Sequence, residues 1–179
     1  MIFIELIKTL IQRILIFLHS RRKGNFNYFN PTNILKNSSN VLVLLPPKKE
    51  LRDEIEFVIL ILKKIFNQIS FLFDASLHQE LNLQQSNSFI FYSKKEKNFI
   101  DLPRRDFIKF LQLKNFDMVI DFNLDDSNFH YWITKHIDAK YKLGLYRKNS
   151  TLFNNLVLKV NRIDSVRTTY ENFLFLLKL

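Results

Sequence analysis

The sequence predicts an α/β fold built on one mainly parallel, doubly wound sheet of about six strands. Short apolar runs alternate along the chain with longer segments whose apolar residues recur every three or four positions. Residues 116–123 (FDMVIDFN) carry four apolar side chains between Phe116 and Ile120, broken only by Asp117. That run suits a central strand covered on both faces. Strands that alternate with helices in this way form Rossmann-like parallel sheets.

Five further apolar runs are expected to complete the sheet. The first, residues 41–45, is closed by Pro46 and Pro47, which cannot continue a ladder of hydrogen bonds. Gly144, one of only two glycines, is expected to allow a close approach or a bend of its strand. The predicted strands are residues 41–45, 69–73, 88–92, 116–123, 140–145 and 156–160.

Four helices are predicted between and after these strands. Residues 50–66 repeat apolar positions at helical spacing, with acids at the start and lysines at the end that complement the helix dipole. Pro103 suits a first helical turn, and Asp or Ser residues at 126–127 and 164–165 suit helix caps. The predicted helices are residues 50–66, 103–112, 126–137 and 164–177.

An additional amphipathic helix is predicted near the N-terminus. Residues 2–18 are strongly apolar, and their polar interruptions fall on one helical stripe. Three charges inside this run argue against a membrane-spanning helix, and the same charges argue against a cleaved signal peptide. A basic flank follows, so an anionic surface is one expected partner, with packing on the domain or on a second copy as the alternative. The expected contacts to such a surface are Lys8, Arg13, Arg21, Arg22 and Lys23.

The chain is expected to form one domain of residues 40–179, preceded by the basic helix at 1–24 and a linker at 25–39. A length of 179 residues is enough for one core, and the absence of cysteine excludes disulfide and thiolate chemistry. The cytoplasm, including the inner face of the membrane, is the expected location. Residues 1–49 hold eight Lys/Arg against one Glu, hence +7 of the total +10. That asymmetry points to an anionic partner, although a compositional bias explains the overall basic balance equally well.

A binding crevice is predicted at the carboxyl ends of the strands, where open α/β sheets bind ligands. Asp121 follows the central strand directly and is expected to be solvated, so that Asp121→Asn would change stability little. The expected crevice residues are Lys48, Lys49, Asp74, Asp121, Asn123, Asp125, Tyr146 and Arg147. A mixture of Lys and aromatic residues at 140–148 leaves contact with nucleic acid open as a weaker alternative.

No metal and no cofactor is predicted. The four histidines lack ligand spacing, and there is no Gly-rich phosphate loop. Acids at 121, 125 and 126 could hold a hard cation, but acids after a strand more often cap helices or face solvent.

The chain resembles the N-terminal half of glycosyltransferase family 9, the lipopolysaccharide heptosyltransferases. The resemblance rests on residues 41–45 with the long helix after them, on 116–123, and on 139–146 (AKYKLGLY). The chain looks most like small bacterial proteins built on that half-domain alone. In this family the nucleotide-sugar donor binds the C-terminal half, which this sequence does not contain, and the first turn of the family carries a glycine that is replaced here at 46–53. The resemblance therefore implies Asp53 and Asp121 as candidate catalytic acids but favours a protein without transfer activity of its own.

Three functions follow as hypotheses. The first is a stand-alone, non-catalytic accessory or binding domain at the membrane face. The second is a nucleic-acid-binding module, and the third is the acceptor-side subunit of a glycosyltransferase whose donor domain is supplied by a separate protein partner.

Overall fold

A computed structural model describes residues 7–12, 14, 38–48, 51–77, 88–159 and 165–176. These residues form one six-stranded sheet in the order β3-β2-β1-β4-β5-β6, and all five strand pairs are parallel. The strands are β1 (Asn40–Leu44), β2 (Gln68–Asp74), β3 (Phe89–Tyr92), β4 (Met118–Asp121), β5 (Tyr141–Leu145) and β6 (Leu156–Leu158). The predicted α/β class, the parallel sheet and the six strands are confirmed.

Helices cover both faces of the sheet. They are α1 (Arg52–Ile65), α2 (Arg105–Gln112), α3 (Asn128–His136) and α4 (Val166–Leu176), with short 3-10 turns at 75–77, 94–96 and 150–152. Side chains alternate along each strand, so Val41 and Val43 of β1 join the core beneath α1 and α4, whereas Leu42 and Leu44 join the core beneath α2 and α3. Burying each such side chain contributes about 1.5 to 3 kcal/mol.

Two helices have the serine caps that the sequence predicts, whereas α1 and α2 have no side-chain cap hydrogen bond in the described part of the chain. Ser127 caps α3, because its Oγ accepts a hydrogen bond from the backbone N–H of His130 at 3.3 Å. Ser165 caps α4 by accepting from the N–H of Thr168 at 3.2 Å. Ser127 rather than Asp126 is the cap of α3, and Asp126 accepts a hydrogen bond from the Tyr131 hydroxyl.

The central strand is shorter than predicted, since β4 begins at Met118 rather than Phe116. Asp117 lies outside it and caps the start of β1, where it accepts hydrogen bonds from the Ser39 hydroxyl at 2.7 Å and from the Asn40 N–H at 3.0 Å. The bond from Ser39, with a smaller effect of the bond from Asn40, holds the pKa of Asp117 below its usual range. An acid in an apolar run can thus mark the end of a strand.

Gly144 meets the expectation of close packing. A Cβ atom at this position would lie 2.6 Å from Nδ2 of Asn154, a buried amide that donates to the Ser150 carbonyl. Glycine is therefore needed for space rather than for a special backbone angle.

Residues 7–12 and 14 are helical and lie against the domain, and they belong to the middle of the amphipathic helix predicted over residues 2–18. Of the predicted linker, 25–37 fall outside the described residues. Among the residues that the structure describes, no helix has the length and apolar character needed to cross a bilayer.

Candidate functional site

The carboxyl edge of the sheet is organised by a buried ion pair. Parallel register places Asp121 at the end of β4 beside Gly144 of β5, and the chain then returns Arg147 over the same edge. Nη2 of Arg147 donates to Oδ2 of Asp121, and neither side chain is more than 1 % exposed. Oδ1 of Asp121 accepts from the backbone N–H and the side-chain amide of Asn123. The predicted Asp121, Asn123 and Arg147 are thus brought together.

Arg147 is held by more than its carboxylate. Its Nη1 donates to the Asp125 carbonyl at 2.9 Å, and its guanidinium lies 4.8 Å from the ring centre of Tyr131. Its backbone N–H donates to Ser150 Oγ at 2.9 Å. Nε is buried without a hydrogen-bond partner among the described residues. Several contacts therefore fix the Arg147 guanidinium. Among the described residues, the only negative charge paired with it is that of Asp121.

The expectation that Asp121 is solvated is wrong. The carboxylate is fully buried, because β1 and β5 flank β4 on both sides and Arg147 covers its end. A buried acid in an ion pair acts first as a structural partner.

The outer layer of the edge is also paired. Asp125, with a side chain 65 % exposed, forms an ion pair with Lys48 across the β1 and β4 ends. Asp126 accepts from the hydroxyl of Tyr131, and burial together with this bond raises the pKa of the phenol. Asn149 also reaches Asp126, at 3.4 Å.

His130 lies inside the edge, beneath these pairs. It is fully buried in α3, packed edge-on against the rings of Tyr92 and Phe129, and neither ring nitrogen has a hydrogen-bond partner among the described residues. Burial lowers the pKa of His130 to about 4. The nearby charges partly oppose one another, since Asp121 and Asp74 raise this pKa while Arg147 and Lys97 lower it. His130 is therefore a neutral imidazole at physiological pH.

Asp74, another predicted crevice residue, lies at the end of β2. Its carboxylate lies 3.9 Å from Nζ of Lys97, and the same ammonium sits 5.1 Å from the ring centre of Tyr92. Burial and the nearby Asp74 carboxylate raise the pKa of Tyr92.

Two other predicted residues lie at the periphery. Tyr146 is exposed after β5, with the ammonium of Lys159 at 5.9 Å from its ring. Asp53 is exposed in the first turn of α1. Lys49 falls outside the described residues.

Sequence reasoning missed five residues that build this edge. Tyr92 ends a predicted strand, which was a usable signal, but His130 was dismissed for its lack of ligand spacing. The others, Lys97, Tyr131 and Ser150, reach the site through tertiary packing alone. Within the described ranges, no three acidic or imidazole side chains converge in a way that could hold a metal ion.

The N-terminal helical segment, residues 7–12 and 14, is fastened to the domain by polar contacts. Nζ of Lys8 lies 3.3 Å from Asp101, and Nε2 of Gln12 donates to the Ile100 carbonyl at 2.8 Å. The Asn128 amide donates to Oε1 of Gln12, also at 2.8 Å. Lys8 therefore faces the domain rather than a free surface, whereas Arg13 and residues 21–23 lie outside the described ranges.

No family model matches the chain, and no curated protein does. A solved structure is similar, the crystal structure of a glycosyl transferase family 9 protein from Veillonella parvula DSM 2008. The TM-score is 0.58 with 18 % sequence identity, and the match covers 78 % of this chain and 41 % of that one. The chain thus spans about two fifths of the length of that glycosyltransferase and has the fold of one half-domain of it.

Proposed function

We propose that this chain is a glycosyltransferase-like half-domain that does not catalyse transfer by itself and acts as a binding or accessory module at an anionic membrane face. The observation that carries the proposal is the orientation of the N-terminal helical segment. Its polar residues Lys8 and Gln12 hold the domain, while Ile7, Leu10 and Ile14 are 42 %, 59 % and 48 % exposed. An amphipathic helix in water normally does the opposite.

The surroundings of this segment support the same assignment. Phe99 is 78 % exposed and precedes Ile100 and Asp101 in the chain, two of the residues that hold the segment. Exposed apolar side chains collected at one place mark contact with a membrane or a partner. The basic sequence that follows, including Arg21, Arg22 and Lys23, favours an anionic leaflet, with about 1 kcal/mol for each basic residue near the surface.

The absence of catalysis is supported by the state of the crevice acids. Asp121 is buried under Arg147, Asp125 is paired with Lys48, and Asp126 is bonded to Tyr131. A general base must reach the proton that it abstracts; Asp121 is buried and Asp126 already accepts the Tyr131 proton, which leaves only the exposed Asp125 of these three acids open to solvent.

Purified protein is expected to show no turnover of ADP-, UDP- or GDP-linked sugars, measured as release of the nucleoside diphosphate. Asp53, the exposed acid of the first α1 turn, supplies the control. Steady turnover that Asp53→Ala abolishes would show that the isolated chain is a transferase.

Vesicle flotation tests the membrane contact. The chain is expected to float with vesicles containing phosphatidylglycerol and to stay unbound with phosphatidylcholine alone. Leu10→Ser with Ile14→Ser should weaken the partition coefficient by roughly thirty-fold, since about 2 kcal/mol of apolar burial is lost. High salt should weaken binding as well.

The matched control is Leu60→Ser with Phe175→Ser, which removes two apolar side chains that are more exposed still, 61 % and 77 %, from α1 and α4 on the opposite face. It should float like the parent. Equal loss in both variants, or no binding by the parent, would contradict membrane attachment through the N-terminal helical segment. Salt-sensitive binding to DNA or RNA by a parent that ignores vesicles would favour the nucleic-acid alternative instead.

A further inference from the structure

A groove lies between α2, α3 and the loop that leads into α2. Its volume is about 1060 Å³, enough for a small organic ligand. The residues that matter for its chemistry are Lys97, Arg104, Arg105, Lys109, Trp132 and His136. It is separate from the buried pair of Asp121 and Arg147.

The groove is basic for a reason that composition does not explain. Residues 50–110 hold nine Lys/Arg and nine Asp/Glu, yet four of those bases and a single acid, Asp106, line this groove, for a net formal charge of +3 (4 − 1). One of the four, Lys97, is paired with Asp74 outside the groove. Folding therefore concentrates positive charge in this groove. Arg104 approaches Asp106 at 3.5 Å, but both side chains are more than half exposed, so this ion pair contributes little.

Arg105 and Lys109 carry positive charges that no described acid pairs with. They are four residues apart in α2, so they lie on one helix face, where like charges repel by a few tenths of a kcal/mol. Neither has an ion-pair partner among the described residues. A bound anion would remove the repulsion, and a guanidinium fork beside an ammonium suits phosphate.

An aromatic wall completes the groove. Trp132 and His136 lie one turn apart in α3 with ring centres 4.7 Å apart, and Nδ1 of His136 is 2.8 Å from the Trp132 carbonyl. This bond orients the imidazole and leaves Nε2 as its other polar atom. The indole offers a flat apolar surface beside the cations, which suits a ligand that joins a ring or apolar body to an anion.

We propose that this groove is a binding site for an organic phosphate, with the phosphate held by Arg104, Arg105 and Lys109 and the body of the ligand packed on Trp132. The site does not depend on membrane attachment through Leu10 and Ile14. The phosphate could belong to a soluble ester or to a lipid headgroup, since the recognising chemistry is the same.

Trp132 is the only tryptophan of the chain, so its fluorescence reports on this groove directly. We expect glucose 6-phosphate and pyrophosphate to change the emission saturably at physiological salt, and glucose to leave it unchanged. Arg105→Gln with Lys109→Gln should weaken both phosphates at least tenfold. Both changes are on the exposed side of α2, so the melting temperature should stay within a few degrees.

The charge-matched control is Lys63→Gln with Lys64→Gln in the last turn of α1, on the opposite layer. It should bind like the parent. Equal weakening by the control variant would mean general attraction to a basic protein and would overturn the proposal. So would the absence of saturable binding both in fluorescence and in calorimetry, with the soluble phosphates and with phosphatidic acid vesicles alike.

Two further binding measurements distinguish a soluble phosphate ester from a lipid headgroup as the ligand. Binding of glucose 6-phosphate by the Leu10→Ser, Ile14→Ser variant supports a soluble ester as the ligand. That result would support the groove even if the flotation experiment shows no membrane attachment. Binding of phosphatidic acid vesicles alone, lost on changing Arg105 and Lys109, supports a lipid headgroup.

Discussion

Asp121→Asn is expected to lower the free energy of unfolding by about 3 to 5 kcal/mol, because it leaves the Arg147 guanidinium buried without its counter-charge. For a domain of this size the melting temperature should fall by roughly 10 °C. The remaining contacts of Arg147, to the Asp125 carbonyl and the Tyr131 ring, are too weak to replace a carboxylate. Urea denaturation with far-ultraviolet circular dichroism measures the change.

Two further variants identify the cause. Asp125→Asn removes an equally negative carboxylate that is exposed and paired with exposed Lys48, so its effect should stay within about 1 kcal/mol. Arg147→Met combined with Asp121→Asn removes both buried charges and should be less destabilising than the sum of the single changes. If Asp121→Asn instead costs under 1 kcal/mol, the ion pair does not hold the edge and the acid is available to a ligand.

The contrast between the edge and the sheet shows which features periodicity can predict. The composition of a short apolar run such as residues 41–45 is enough to predict that the run is a buried strand. The six strands and the parallel class could therefore be predicted from the sequence. The pairing of Asp121 with Arg147 was not, because it spans 26 positions and depends on which strand lies beside β4. Each residue was predicted at the crevice, but their contact was not.

The N-terminal helical segment shows a second limit. A helical stripe shows which side chains share a face, and Lys8 and Gln12 do share one. It does not show which face meets the domain, because that depends on partners such as Asp101 and the Ile100 carbonyl, which lie far away in the sequence. Both an anionic surface and the domain were open as partners of the polar face, and Lys8 contacts Asp101 of the domain.

Acidification is expected to destabilise the protein through His130. The pKa of this imidazole falls from 6.5 to about 4 on folding, so below pH 6.5 the unfolded chain binds a proton that the folded chain excludes. The contribution of the neutral imidazole is complete above pH 6.5 and is lost as the pH falls towards 4. Between pH 7.5 and 4.5 the loss amounts to about 2 to 3 kcal/mol.

His130→Phe isolates this contribution from that of the carboxylates, because phenylalanine keeps the ring contacts to Tyr92 and Phe129 and cannot be protonated. The variant also removes two buried nitrogens that have no hydrogen-bond partner in the described part of the chain, which offsets part of any cost of its larger ring. Urea denaturation at both pH values should give a smaller acid loss in the variant than in the parent, by about 2 to 3 kcal/mol. His130→Leu serves as a second variant, since it tests the same dependence of the unfolding free energy on pH with a side chain of different shape. Parallel curves for the parent and both variants would mean that the folded protein protonates His130 at its ordinary pKa, which requires solvent or a hydrogen-bond acceptor at the ring.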